Sequence, residues 1–173
     1  MIRHLPASGF TRMAWKNGGG ATTEIARHPA EGEFLWRVSI ADVDQSGPFS
    51  RFDGYDRHIL MLSGKGMVLQ SPGRADIRLD APLTPRSFSG DWEINGLLTD
   101  GPVRDFNLML KRGAVAGGLE VIRADRPFTA SGLAYVAEGA LEGAAQGDAL
   151  LITGEARLSP SPSACVILSR LSC

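Results

Sequence analysis

The chain has 173 residues, 43% of them hydrophobic and 21% charged, and 18 basic against 19 acidic side chains leave a formal net charge of −1. That length holds one domain or two small fused β units with a true core, and the composition excludes disorder. The charge balance excludes a basic nucleic-acid footprint, and no stretch approaches the roughly 20 apolar residues of a membrane span. The opening Met1-Ile2-Arg3-His4-Leu5-Pro6 lacks an apolar run of signal-peptide length, and the only cysteines are Cys165 and Cys173. A secreted disulfide framework is therefore not expected, and the reducing cytoplasm is the expected location.

The 21 glycines and 10 prolines are spread along the chain, which suits short strands and tight turns. A short helix is allowed over 21–26. Phe34-Leu35-Trp36-Arg37-Val38-Ser39-Ile40-Ala41 alternates apolar and polar residues, which predicts a strand with Phe34, Trp36, Val38 and Ile40 on one face. Gly47-Pro48 and Asp53-Gly54 are turn chemistry. The apolar run His58–Leu62, the turn Ser63-Gly64-Lys65-Gly66 and the resumption Met67–Gln70 predict a hairpin. Ala75–Leu79 alternates again before Pro82 and Pro85, and Asp105–Leu110 is a further strand. The Gly- and Ala-rich stretch 111–118 is the expected boundary between two halves, 1–116 and 117–173. Strands are then predicted around 119–122, 133–137, 149–152 and 164–168. Turns recur about every 8 to 12 residues, the spacing of an all-β sandwich or barrel.

Three groups of residues invite a chemical reading. Trp15-Lys16-Asn17-Gly18-Gly19-Gly20 is a loop in which Asn17 both donates and accepts, and Gly18 and Gly19 let backbone N–H groups approach a ligand. The same loop also reads as a plain turn beside a core Trp, and it lacks P-loop spacing. Arg37 and Ser39 share one strand face and Arg57 lies on another strand. If those faces converge, paired guanidinium groups would grip a carboxylate; otherwise they are solvated. Finally, the segment from Arg57 to Gly64 has the spacing of the first cupin motif, with Arg57 where metal-binding cupins place a glutamate. The histidine positions become Arg51 and Asp53, or Ser50 and Phe52. A guanidinium has no lone pair for a metal. The only histidines, His4, His28 and His58, leave none for a second motif. No metal and no other cofactor is expected. His58 should point away from Arg57, and His4 and His28 are read as lone residues.

These blocks together resemble the HutD/Ves family. The resemblance runs through Trp15-x-Asn17-Gly18-Gly19-Gly20-x-Thr22-Thr23-Glu24, Trp36-Arg37-x-Ser39-Ile40-Ala41, Gly47-Pro48-Phe49-Ser50-x-Phe52-x-Gly54-x-x-Arg57 and Leu62-x-Gly64-x-Gly66. It resumes at Phe88-Ser89-Gly90-Asp91 and Asp105-Phe106-Asn107-Leu108-Met109. The last third carries little motif. The resemblance implies a double-stranded β-helix (jelly-roll) bicupin of two fused barrels, the N-terminal one larger and carrying the pocket. It further implies a histidine-utilisation accessory protein that binds an intermediate such as N-formylglutamate or urocanate and tempers the pathway. On this reading Asn17, Gly18, Gly19, Arg37, Ser39 and Arg57 bind the ligand. Glu24 orients an arginine and Asn107 lines the same barrel.

The leading expectation is thus a non-catalytic receptor for a small carboxylate, with no nucleic-acid or membrane partner and with a homodimer left open. The alternative is a metal-independent isomerase or hydrolase acting on a small acid, with Glu24, Asp105 or His58 as general base. A third reading is an interaction module acting on a transcription regulator.

Overall fold

The computed structural model describes residues 1–172, so Cys173 lies outside the described residues. The protein is all-β; among the described residues there is no α-helix, only a 3-10 turn at Ala7–Gly9. The chain forms two compact units, one of Thr11–Ala114, the other of Met1–Phe10 with the chain from Val115 onward. The first strand, β1 (Ile2–Leu5), explains this grouping, because it pairs antiparallel with Ala149–Ile152. Residues 1–10 thus group with the C-terminal unit rather than with the expected 1–116 half.

The unit Thr11–Ala114 contains β2 (Thr11–Ala14), β3 (Gly20–His28), β4 (Trp36–Val43), β5 (Gly47–Pro48), β6 (Tyr55–Ser63), β7 (Met67–Gln70), β8 (Ile77–Leu79), β9 (Arg86–Ser89), β10 (Asn95–Leu98) and β11 (Val103–Lys111). They form a six-stranded sheet in the order β2-β3-β4-β11-β6-β9 and a four-stranded sheet in the order β5-β10-β7-β8. Both ladders end in edge strands and neither closes on itself. Between them lies a core of Ala41, Val43, Ile59 and Met61 from one sheet against Met67, Leu69 and Leu79 from the other, with Phe88, Ile94 and Val103. Each large apolar side chain buried there contributes about 1.5–3 kcal/mol.

Two expectations need correction. Residues 21–26 form part of β3, not a helix. The β-branched Thr22, Thr23 and Ile25 favour the extended chain, and Ala21 and Ile25 are buried. The runs at 58–62 and 67–70 do not pair as a hairpin. β6 pairs with β11 and β9, and β7 pairs with β10 and β8. The chain instead crosses from one sheet to the other through Gly64 and Gly66, at φ +119° and +121°. A Cβ on Gly64 would lie 2.8 Å from the Pro102 carbonyl oxygen, so that crossing requires glycine.

The second unit adds β12 (Ala116–Ala124), β13 (Phe128–Glu138), β14 (Ala140–Leu141), β15 (Ala144–Ala145), β16 (Ala149–Leu158) and β17 (Ala164–Ser172). Its main sheet runs β1-β16-β13-β17-β12 over a core that includes Ala134, Val136, Leu150, Ile152, Val166 and Leu168. His4 is not a lone residue: its Nε2 lies 2.8 Å from Asp148 Oδ2, while Asp148 Oδ1 accepts the Ala7 N–H at 2.8 Å. These bonds clip the N-terminal strand to the turn before β16.

Gly132 sits beside a bulge in β13 at φ +100°, and a Cβ there would lie 2.2 Å from the Ser169 carbonyl oxygen. Gly132→Ala combines left-handed strain with overpacking and is expected to lower stability by about 3 kcal/mol. Urea unfolding measures this, and an unchanged midpoint would show that the bulge relaxes freely.

Candidate functional site

The site is built on the three central strands of the six-stranded sheet. Strand alternation puts Trp36, Val38 and Ile40 of β4 on one face, all buried, and Arg37, Ser39 and Ala41 on the other. The register on β11 extends this face sideways in rows. Arg37 and Arg57 flank Met109, Ser39 and Ile59 flank Asn107, and Ala41 and Met61 flank Asp105. Two guanidinium groups from separate strands are thereby presented to one cavity of about 430 Å³. Ser39, Asp105, Asn107 and Met109 also line it, and further wall comes from Trp15, Lys16 and Asn17 and from Phe49, Ser50 and Phe52.

Arg57 is the centre of this arrangement. It is only 5% exposed, and its guanidinium carbon lies 5.8, 5.4 and 5.0 Å from the ring centres of Phe49, Phe52 and Phe88. Such ring faces favour a cation. Its Nη2 donates to Asn107 Oδ1 at 3.1 Å and its Nη1 to the Ser50 carbonyl at a long 3.4 Å, while its Nε has no partner. Among the described residues no carboxylate touches it directly. Burial lowers its pKa to about 10; Asp105 opposes that shift, and the nearby Arg37 adds to it. It remains charged at neutral pH.

Beneath Arg57, the Asn107 amide donates from Nδ2 to Asp105 Oδ1 while its own Oδ1 faces the guanidinium. Asp105 is fully buried and its Oδ2 has no partner. Burial pushes its carboxyl up to about 7, against the pull of Arg57 and of the Asn107 hydrogen bond. Removing a carboxylate from water disfavours its charged form more than a single bridged cation restores it.

The second arginine is compensated. Arg37 Nε donates to Glu24 Oε2 at 2.7 Å, and both side chains are largely covered. The pairing follows from the β3–β4 register, in which Glu24 lies opposite Ser39 just before a bulge. Glu24 holds Arg37 and does not line the cavity.

The glycine-rich loop behaves differently from the expectation. Asn17 lines the cavity, but its Oδ1 accepts the Gly19 N–H at 2.9 Å, so that N–H is spent within the loop. Gly18 takes a left-handed turn at φ +74°. Neither Gly18 nor Gly19 lines the main cavity; Gly19 borders a smaller recess of about 220 Å³ beside it. The glycines shape the turn that carries Trp15, whose Nε1 donates to Thr22 Oγ1 at 2.8 Å.

The other titratable candidates lie elsewhere. His58 sits on the opposite face of β6, half-buried, with its Nδ1 2.8 Å from Ser87 Oγ. Burial lowers its pKa against the pull of Asp56. His28 stacks on Trp36 with ring centres 6.3 Å apart. Among the described residues, no three His, Cys, Asp or Glu side chains group as a metal ligand set. Sequence periodicity did not mark Phe49, Ser50 and Phe52 as cavity wall, because they lie outside regular strand alternation.

The comparisons with known proteins agree with one another. A curated relative from Pseudomonas putida, described as an uncharacterized 21.2 kDa protein in the hutC 3′ region, is 47% identical over 110 residues. That match covers 62% of this chain and spans only 57% of the relative's length. Two solved structures match over 100% of both chains at 34% identity. One is a conserved protein of unknown function from Pseudomonas aeruginosa PAO1, with a TM-score of 0.87. The other is HutD from Pseudomonas fluorescens SBW25 in a formate condition, with a TM-score of 0.84. YhhW from Escherichia coli shares the fold at 10% identity and a TM-score of 0.71. The HutD family model matches residues 7–166, and the chain belongs to the HutD family.

Proposed function

We propose that this protein is a non-catalytic receptor for a small organic carboxylate, of the N-formylglutamate or urocanate kind, and that it modulates histidine utilisation. The observation that carries the reading is Arg57, a buried cation among three aromatic rings that no carboxylate of the described residues contacts directly. A buried charge is costly unless paired, so this site favours an incoming anion. Arg37, Ser39, Asn17 and Asn107 offer the further hydrogen bonds that would orient it. The description of the P. putida relative, in the hutC 3′ region, supports the pathway part of the reading. In this reading the protein acts in the cytoplasm without nucleic acid, and its two units are cupin-type halves of a bicupin.

The second reading is a metal-independent isomerase or hydrolase. It draws on Asp105, a cavity-lining carboxyl held near 7, which is the range of a general acid or base at neutral pH. One experiment separates the two. The purified protein is titrated by calorimetry with N-formylglutamate and with urocanate, and the mixtures are then followed by mass spectrometry. The receptor reading expects saturable binding with the ligand recovered intact. Turnover would replace it with the second reading, and absence of binding by either acid would remove the carboxylate assignment.

A further inference from the structure

Resting on the carboxylate-receptor reading, we propose that the ligand enters the pocket together with one proton, which Asp105 takes up. The geometry behind this is the ladder Arg57–Asn107–Asp105. The Asn107 side chain stands between the two charges, accepting from one and donating to the other. Asp105 has no exposed surface, one oxygen bonded to Asn107 and the other bonded to nothing. Among the described residues, the charge on Arg57 and the hydrogen bond from Asn107 are what compensate it. An anion seated on Arg57 cancels that compensation and brings a second negative charge within a few ångströms in a water-poor cavity, where screening is weak.

The other charged groups around Asp105 do not replace what is lost. On β4, Arg37 is committed to Glu24 of β3. Also on β4, Asp42 pushes the Asp105 carboxyl further up, and it is itself held by Arg12 at 2.6 Å and Arg104 at 3.4 Å. Lys16 reaches the cavity from the loop before β3, where it faces the entering ligand. His58 of β6 points to the opposite face and bonds Ser87. The carboxylate that seats on Arg57 brings one negative charge, and one solvent proton, converting the Asp105 carboxylate to the acid, offsets it; the second carboxylate of a diacid such as N-formylglutamate adds its own charge toward the cavity mouth. With the free carboxyl already near 7, the binding energy needed to complete its protonation is small. Asp105 is thus a positioning residue: it acts on the ligand through Asn107 and Arg57, and its protonation state sets the affinity.

The test is calorimetric titration with N-formylglutamate, whose carboxyl groups stay ionised across neutral pH, in buffers of different ionisation enthalpy. At pH 8 the expected result is uptake of about one proton per ligand, with affinity falling roughly tenfold per pH unit above the titration of free Asp105. Asp105→Asn, which keeps the acceptor for Asn107, is expected to bind without proton uptake and with a flat pH profile. Binding by the native protein with no proton uptake and no pH dependence overturns the proton coupling and leaves the receptor reading standing. A native pH dependence that persists in Asp105→Asn also overturns it, by moving the proton to another group. Failure of N-formylglutamate and urocanate to bind anywhere between pH 5 and 8 overturns both readings together.

Discussion

Arg57→Met is expected to weaken carboxylate binding by about 2–5 kcal/mol, roughly 30-fold or more, without unfolding the protein. Methionine has a similar length and packs well against aromatic rings, so the pocket formed by Phe49, Phe52 and Phe88 stays filled. The substitution removes a buried cation that, among the described residues, donates to Asn107 and, at long range, to the Ser50 carbonyl. Stability is expected to fall somewhat, most above pH 7, because Asn107 Oδ1 loses its donor and the buried Asp105 carboxylate loses its compensating charge. Arg57→Lys keeps the charge but loses the planar fork, and an intermediate affinity is expected. Calorimetric titration beside thermal unfolding measures both properties. If Arg57→Met binds the acid as tightly as the native chain, the anion sits elsewhere and Arg57 is a structural cation.

The second large effect is on stability against pH. In the unfolded chain Asp105 titrates near its ordinary 3.8, whereas burial holds it near 7 in the folded protein. Between those values the folded state binds more protons than the unfolded state. The contribution of Asp105 to stability is therefore full below about pH 4, falls as the pH rises toward 7, and stays at its lower level above that. At roughly 1.4 kcal/mol per pH unit over a window of about three units, the largest possible loss is about 4 kcal/mol. Arg57, lowered to about 10, keeps its charge throughout this window and adds nothing to the slope. Asp105→Asn should flatten the curve and stabilise the protein at pH 7.5 relative to the native chain. Urea midpoints at pH 5 and pH 7.5 for both proteins decide it. An equal slope in the two would assign the pH dependence to other carboxylates.

The two effects are linked through the same ladder of three side chains. Natural chains retain a buried acid that weakens the fold at neutral pH where it serves a site, and stability is commonly given up in this way. Asn107 couples the pair: its amide can face Arg57 with oxygen only while its nitrogen faces Asp105. That single orientation gives the cavity floor one geometry.

That the chain is all-β could be read from apolar alternation and scattered turn residues alone, which left a helical alternative at 21–26 and nowhere else. The sequence also marked Arg37, Ser39 and Arg57 through their residue types and positions, and the resemblance added Asn107 and Glu24. Periodicity could not tell which strands are neighbours. The runs at 58–62 and 67–70 read as a hairpin, yet they belong to different sheets, because both are buried and short apolar runs carry no pairing information. Nor could it place 21–26, where β-branched residues and burial outweighed any helical pattern. Which face of β4 meets the cavity follows from the packing of the sheets. The two faces of that strand are both buried, so hydrophobic alternation cannot distinguish the Arg37–Ser39 side from a solvated one. The pairing of Arg37 with Glu24, the enclosure of Arg57 by Phe49, Phe52 and Phe88, and the unpartnered oxygen of Asp105 all join residues distant in the chain. The first depends on β3 lying beside β4 and the other two on β11 lying between β4 and β6, neighbourhoods set by packing across the sheet rather than by any local pattern.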